Sequence, residues 1–443
     1  MRKCFLRVSV LFFSFCAFSQ EARVLTVDDA VKLALENNVS VQRSEITLSA
    51  LERAKKHSWN SASPSISFDG TAGIPLKDLT DEAARSKYDA NFGISATVSV
   101  SLTANLYTKM QAAKLNYEIG KMNFTDSLRS IELNVRDAFY KLLYEKENIV
   151  LQEKNSEISK SQYSANLAKY NQGRLSELDV LAAEVSYKST VPTVEGAKTT
   201  YENDLAAFKQ LLGIPLDERV ELSGKLEDKI FLDKINLDGV EIFSSSVKTL
   251  EKRVEAADNS ILDNRFSAYS PSIRASLNWR DQYWYSGYDG DPPASSDAAK
   301  STSLSLSASI PLDGLLPWSA KHDAIESAKD SKKDYELQLK NAKTTLQMSI
   351  DSYLRSIENS QASIKAKQAN VTLAQRSYNM TLDAYNRGAK DFLSVQNASS
   401  SLLSAQVSLK NEILKLISAM MNLENTIGVQ FGSLSNKMNP DGN

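Results

Sequence analysis

The chain has 443 residues, 42% of them hydrophobic and 24% charged, with a formal net charge of −2. That balance offers no basic surface, so no nucleic-acid partner is expected. The only cysteines are Cys4 and Cys16, and the only histidines, His57 and His322, stand far apart. With no Ser/His/Asp grouping, metal spacing or Gly-rich phosphate loop either, the sequence points to no catalytic residue, metal or cofactor, and not to an enzyme.

Residues 1–19 read as a secretory signal. Arg2, Lys3 and Arg7 lie at its start, Leu6 to Phe18 is apolar, and Ala17 and Ser19 supply small residues at the cleavage positions. Cys16 offers a lipoprotein alternative, against which stands bulky Phe15. Beyond the signal there is no run of 18 apolar residues, so any membrane passage must be made by strands.

A helix starts at Thr26, where Thr26-Val-Asp-Asp29 resembles a capping box, and Asn37-Asn38 interrupts it before a second run to about Asn60. Pro64 then ends the helical pattern. Ile66, Phe68, Gly70, Ala72 and Ile74 alternate with Ser65, Ser67, Asp69, Thr71 and Gly73, a two-faced strand. Residues 76–88 read as loop. A second strand sets Phe92, Ile94, Ala96, Val98, Val100 and Leu102 against Ser95, Thr97, Ser99, Ser101 and Thr103.

From Leu106 to about Tyr170 the pattern is helical, with Leu128, Val135, Leu142, Ile149, Ser156, Tyr163 and Tyr170 spaced seven apart. A helix of about 65 residues is about 100 Å long. Sustained heptads over that length predict coiled-coil packing. Gly173 supplies a turn, and a further helix, bent at Pro192, is expected from Ser176 to Leu212.

The chain then repeats itself. Tyr163, Tyr170-Asn171, Gly173, Leu178, Val180 and Ala183 recur 215 positions later as Tyr378, Tyr385-Asn386, Gly388, Leu393, Val395 and Ala398. This predicts a first structural repeat over 20–215, a connector over 216–239, a second repeat over 240–430 and a disordered tail over 431–443. The second repeat opens with a helix over 240–268. Pro271 leads into a strand alternating Ile273, Ala275, Leu277 and Trp279 with Ser272, Arg274, Ser276 and Asn278. A loop over 286–300 follows. A last strand then alternates Leu304, Leu306, Ala308 and Ile310 with Ser303, Ser305, Ser307 and Ser309. A second long helix over 319–385 and a last helix ending near Gly428 complete the repeat.

Each strand is apolar on one face and Ser/Thr-rich on the other. The cluster Trp279, Tyr283, Trp284, Tyr285 and Tyr288 suits an interfacial girdle. Four strands cannot close a membrane barrel, and open edges are intolerable in lipid. Several chains must therefore pool their strands. Against this stands an exported coiled-coil scaffold or surface structural protein, whose strands form a small soluble sheet.

At this point the sequence resembles the outer-membrane efflux protein family, the TolC-like channels, over nearly all of residues 24–430. The resemblance rests on Leu25–Asn38, on Pro64-Ser-Ile66 and Pro271-Ser-Ile273, on Tyr170-Asn-Gln-Gly173 with Asp179-Val-Leu-Ala182, and on Leu211-Leu-Gly-Ile-Pro215. It implies a mainly α homotrimer: an α-helical tunnel crossing the periplasm, topped by a small shared twelve-stranded β-barrel in outer-membrane lipid. It also implies a passive exit duct working with a periplasmic adaptor and an inner-membrane pump, in efflux or type I secretion. The turns Gly173-Arg174-Leu175-Ser176 and Gly388-Ala389-Lys390-Asp391 would then be the adaptor-docking tips. Ser394 and Asn397 would stand at the periplasmic constriction, where relatives carry acids, giving a polar, nearly neutral ring with weak cation selectivity. Asp179 either joins them or only caps its helix. The heptad tyrosines Tyr163, Tyr170, Tyr378 and Tyr385 are expected to serve helix packing.

Overall fold

A computed structural model describes residues 23–73, 90–226, 235, 237, 242–285 and 297–436. The signal region, the loop over 76–88, residues 227–234, 236, 238 and 239 of the connector, residues 286–296 of the second loop and residues 437–443 lie outside the described residues. The chain divides into two compact units, one built from residues up to 42, 128–242 and 350–443, the other from 43–127 and 243–349.

In the first unit, β1 (Arg23–Leu25) leads into α1 (Val27–Asn37). The predicted capping box forms: the Asp29 backbone N–H donates to Thr26, and the Asp29 carboxylate accepts from the Thr26 backbone. The hydrogen bonds from Thr26 hold the Asp29 carboxyl below the usual carboxylate range. Asn38 is extended, which breaks the helix before α2 (Val39–Lys56) begins. α3 (Asn105–Asn171) is one continuous helix, as is α4 (Glu177–Leu212), which runs on through Pro192. Gly213 ends α4 with φ 71°, and a Cβ there would meet the Asn37 carbonyl oxygen at 2.5 Å, so glycine serves both the cap and the close approach of α1.

The stretch over 216–239, expected to be a plain connector, contains β4 (Val220–Leu222), which pairs in parallel with β1. Both strands are only three residues long, and their partners are far apart in sequence, so no alternation could reveal them. The heptads of α3 and of α6 (Ala320–Asn386) face inward where they cross this unit: Val135, Leu142, Ile350, Ile357 and Ile364 are all buried. α7 (Phe392–Ile427) supplies Ile413, Leu416, Leu423 and Ile427 to the same interior.

Residues 433–436 form α8 (Ser433–Asn436), correcting the expectation of a disordered tail from 431. Phe431 and Leu434 are buried, and the Glu424 carboxylate accepts the backbone N–H groups of Gly432 (2.9 Å) and Leu434 (3.0 Å). Arg129 and Arg136 stack over the Phe431 ring. A buried acid on α7 thus holds the tail through its backbone N–H groups.

The second unit carries a four-stranded antiparallel sheet in the order β2 (Ser65–Gly73), β3 (Ala90–Thr103), β5 (Ser272–Tyr285), β6 (Asp297–Ser309). The helix leading into β5 is α5 (Ser245–Tyr269), which begins at 245 rather than 240. β6 begins at 297, inside the stretch expected to be loop. Below the sheet, Asn105 and Thr108 of α3 both hydrogen-bond the Asp263 carboxylate of α5, and Asn259 donates to the Thr108 carbonyl at 2.9 Å.

The register places like with like. Ile66, Val98, Leu277 and Leu304 form one row, and Phe68, Ala96, Trp279 and Thr302 the next. On the other face Ser65, Ser99, Ser276 and Ser305 line up. Hydroxyls pair across the strands, Ser65 with Ser99 at 2.8 Å and Ser276 with Ser305 at 2.6 Å. Each such pair contributes roughly 0.2–1 kcal/mol. The apolar face is bare: Ile66 is 78% exposed, Leu304 79% and Leu306 76%. Exposed Trp59, Tyr107 and Trp318 flank the strand ends nearest the helices.

Candidate functional site

The candidate site lies in the first unit, where α3 turns into α4 and α6 into α7. The two turns are built alike. Gly173 N–H donates to the Tyr170 carbonyl (2.7 Å) and Arg174 N–H to the Lys169 carbonyl (2.9 Å). At positions 215 residues later, Gly388 N–H donates to Tyr385 (2.9 Å) and Ala389 N–H to Ala384 (2.9 Å). This is the double closure of a Schellman motif, and it needs a left-handed residue; the glycines have φ of 70° and 78°. An added Cβ would meet nothing within 4 Å at either one. Backbone strain alone therefore reserves these positions for glycine.

The helix starts that follow use the same parts in opposite order. In the first turn Ser176 is the cap: its hydroxyl accepts the Asp179 N–H and donates to the Asp179 carboxylate (2.6 Å). In the second, Asp391 is the cap, and its carboxylate accepts both the Ser394 N–H (2.9 Å) and the Ser394 hydroxyl. Those bonds, the hydroxyl first, hold the Asp391 carboxyl below the usual range. Asp179 is thus bonded to the Ser176 cap of α4, and Ser394 is its counterpart at the cap of α7. Asn397 is exposed one turn further along α7. Arg174, Ala389 and Lys390 are also exposed, while Leu175 is half-buried.

Behind the second turn the tyrosines do packing work. Tyr378 is buried with Val395 and Leu402, against Ile158 and Leu382. Its hydroxyl accepts from Gln162 Nε2 at 3.3 Å, and the Tyr385 hydroxyl donates to Asn166 Oδ1 at 2.6 Å. Burial raises both hydroxyls above the usual tyrosine value. Tyr163 stacks on Tyr187, while Tyr170 stays exposed. A cleft of about 430 Å³ opens between α3 and α6 here, bordered by Lys154, Lys169, Gln162, Leu382 and Tyr385.

Sequence reasoning missed one feature. Leu178 is 75% exposed and its counterpart Leu393 59%; Leu181 and Val185 continue the exposed stripe on α4. Both leucines were landmarks of the repeat, and the spacing of three and four down α4 was the available signal.

Residues 30–214 and 244–429 match the outer membrane efflux protein family, and the chain belongs to that family. Its place is the outer membrane. Members are trimeric channels that work with adaptor and inner-membrane pump partners. No curated protein sequence matches the chain. Among solved structures, the fold is similar to the CmeC outer membrane channel of Campylobacter jejuni, with TM-score 0.75 and 16% identity over 94% of this chain and 88% of that one. It is similar to VceC of Vibrio cholerae, with TM-score 0.72 and 16% identity over 91% and 96%. It also resembles the open state of the Neisseria gonorrhoeae MtrE outer membrane channel, with TM-score 0.71 and 16% identity over 91% and 89%.

Proposed function

We propose that three copies of this chain form a passive duct, their sheets pooled in one twelve-stranded barrel and their helices in a trans-periplasmic tunnel. The observation that carries this is the sheet. Its apolar face is uncovered in rows that cross all four strands, and its other face is hydroxyl-rich. Among the described residues, β2 and β6 each have a neighbour on one side only. Lipid accepts the first face, a water-filled lumen the second, and closure with other copies removes both edges.

The glycine turns and the stripe Leu178, Leu181 and Val185 are then the docking surface for the periplasmic adaptor, with energy supplied by the inner-membrane pump. Ser394 and Asn397 line the periplasmic constriction, and Asp179 braces the Ser176 cap of α4. The duct requires neither catalysis nor cofactor. Extraction from outer membranes is expected to yield a detergent-stable trimer; a water-soluble, compact monomer overturns the proposal. For docking, Gly388→Leu strains a left-handed turn without a steric clash, so trimer and insertion survive while export falls. Export at the normal rate from that variant would remove the turn from the docking surface.

A further inference from the structure

The hydroxyl-rich face of the sheet is not neutral. Among its described side chains, three are charged: Asp69 on β2, and Arg274 and Arg280 on β5. Arg280 has company. Its row runs Asp69, Ser95, Arg280, Ser301, so a carboxylate lies at the same level two strands away, about 10 Å. Arg274 does not. Its row is Ser101, Arg274, Ser307, and the rows on either side read Thr103, Ser272, Ser309 and Ser99, Ser276, Ser305. Two of those hydroxyl pairs, Ser272 with Ser309 and Ser276 with Ser305, are bonded to each other. Arg274 is exposed, and no ion pair joins it to a carboxylate among the described residues.

We propose that Arg274 forms an anion-recognising ring, which makes this duct favour solutes carrying phosphate or carboxylate groups. The inference rests on the duct reading, because only assembly places three Arg274 side chains around one lumen. A guanidinium is always charged, is weakly hydrated, and presents a planar fork that matches phosphate and carboxylate oxygens. Three of them at one level add their potentials. At 0.1 M salt the field of each reaches about 10 Å, far enough to act on a solute inside a lumen. The surrounding serines supply further donors to the same oxygens without adding charge. Charged rings of this kind set the sign of the ion a pore prefers. Arg280, opposed by Asp69 in its row, contributes less.

The test uses the purified full-length trimer in a planar bilayer at low salt, with inorganic tripolyphosphate added from the barrel side. Wild type is expected to be blocked, Arg274→Ser to need roughly tenfold more tripolyphosphate, and Arg274→Lys to keep most of the block. Arg280→Ser is expected to lose less than Arg274→Ser. A conducting channel whose block is the same in wild type and Arg274→Ser overturns the ring while leaving the duct standing. A trimer that inserts and never conducts overturns the duct, and the ring with it. Arg274 is exposed among serines, so Arg274→Ser assembles normally; heat-stable trimer on a gel verifies this for each variant.

Discussion

The two repeats solve one packing problem with opposite electrostatics. Glu145 on the first long helix and Ser360 on the second are 215 positions apart. In the first repeat the acid sits on the long helix. Burial raises the Glu145 carboxyl to about 7, the neighbouring Asp204 of α4 adds to this, and Lys141 opposes it. Asp204 moves down, held by its hydrogen bonds to Lys141 (2.6 Å) and Glu145. Below about pH 7 the pair therefore holds one proton, carried by Glu145. In the second repeat the long helix carries Ser360 at that position, and the acid is Glu412 on α7. Burial pushes Glu412 up, but Lys367 at 2.9 Å and Ser360 at 3.1 Å outweigh it, and its carboxyl lies below the usual range. A duplicated backbone thus shifts two acids in opposite directions: burial, helped by a second acid, wins at Glu145, and the close lysine wins at Glu412.

The largest effect is expected where an ion would be stranded. Lys367→Ala leaves Glu412, only 7% exposed, without its close cation, and removing one partner of a buried pair costs about 3 kcal/mol. Lys141 is half exposed, so Lys141→Ala costs about 1 kcal/mol or less. Thermal unfolding of the trimer, followed by circular dichroism, ranks the two. Equal losses would mean that the repeats bury their acids alike.

The pH dependence sharpens the same contrast, with opposite signs. Glu145 has a folded value above its unfolded one, so its contribution is full below pH 4.5 and is lost as pH rises through about 7. Glu412 has a folded value below its unfolded one. Its contribution is present above pH 4.5 and is lost as pH falls through the folded value. Melting curves between pH 4 and 8 are expected to lose the decline toward pH 8 in Glu145→Gln and to keep the acid-side decline. The reverse pattern would reassign the shared proton to Asp204.

The same contrast explains what the sequence could disclose. The long helices, their heptads, the glycine turns and the strand faces are local patterns, and Val135, Ile357, Gly173 and Leu304 all behave as the spacing requires. The pairing of β1 with β4 and the capture of the tail by Glu424 depend on contacts between distant segments, and no periodicity announces them. Position 424 does carry a hint: an acid there replaces Lys209 of the first repeat, which instead donates to the Leu216 carbonyl. The charge states of Glu145 and Glu412 were hidden for the same reason, since their partners lie on other helices. Among the site residues, the turns were legible because a left-handed backbone selects glycine. The exposed leucines were not, because a surface leucine reads like a core one.

The smallest expected change in stability carries the most information about the constriction. The caps of α4 and α7 are the same hydrogen-bonded pair in reversed order, Ser176 with Asp179 and Asp391 with Ser394. Exchanging the second pair, as Asp391→Ser with Ser394→Asp, rebuilds the box of the first repeat. Serine and aspartate are equivalent caps, and the carboxylate stays in the positive first turn. Stability should change by less than about 0.5 kcal/mol, whereas Asp391→Ala alone should cost about 1 kcal/mol. The exchange conserves net charge and moves one carboxylate by three residues, a single turn of helix along α7. If position 394 lines the constriction, the trimer now carries three carboxylates there, and a trivalent cation added from the periplasmic side should block it far more tightly than wild type. Adding Asn397→Asp should strengthen the block further. An exchanged protein with unchanged stability and unchanged block would place Ser394 outside the constriction. Tight block already present in wild type would point to Asp179, and Asp179→Ala would then relieve it.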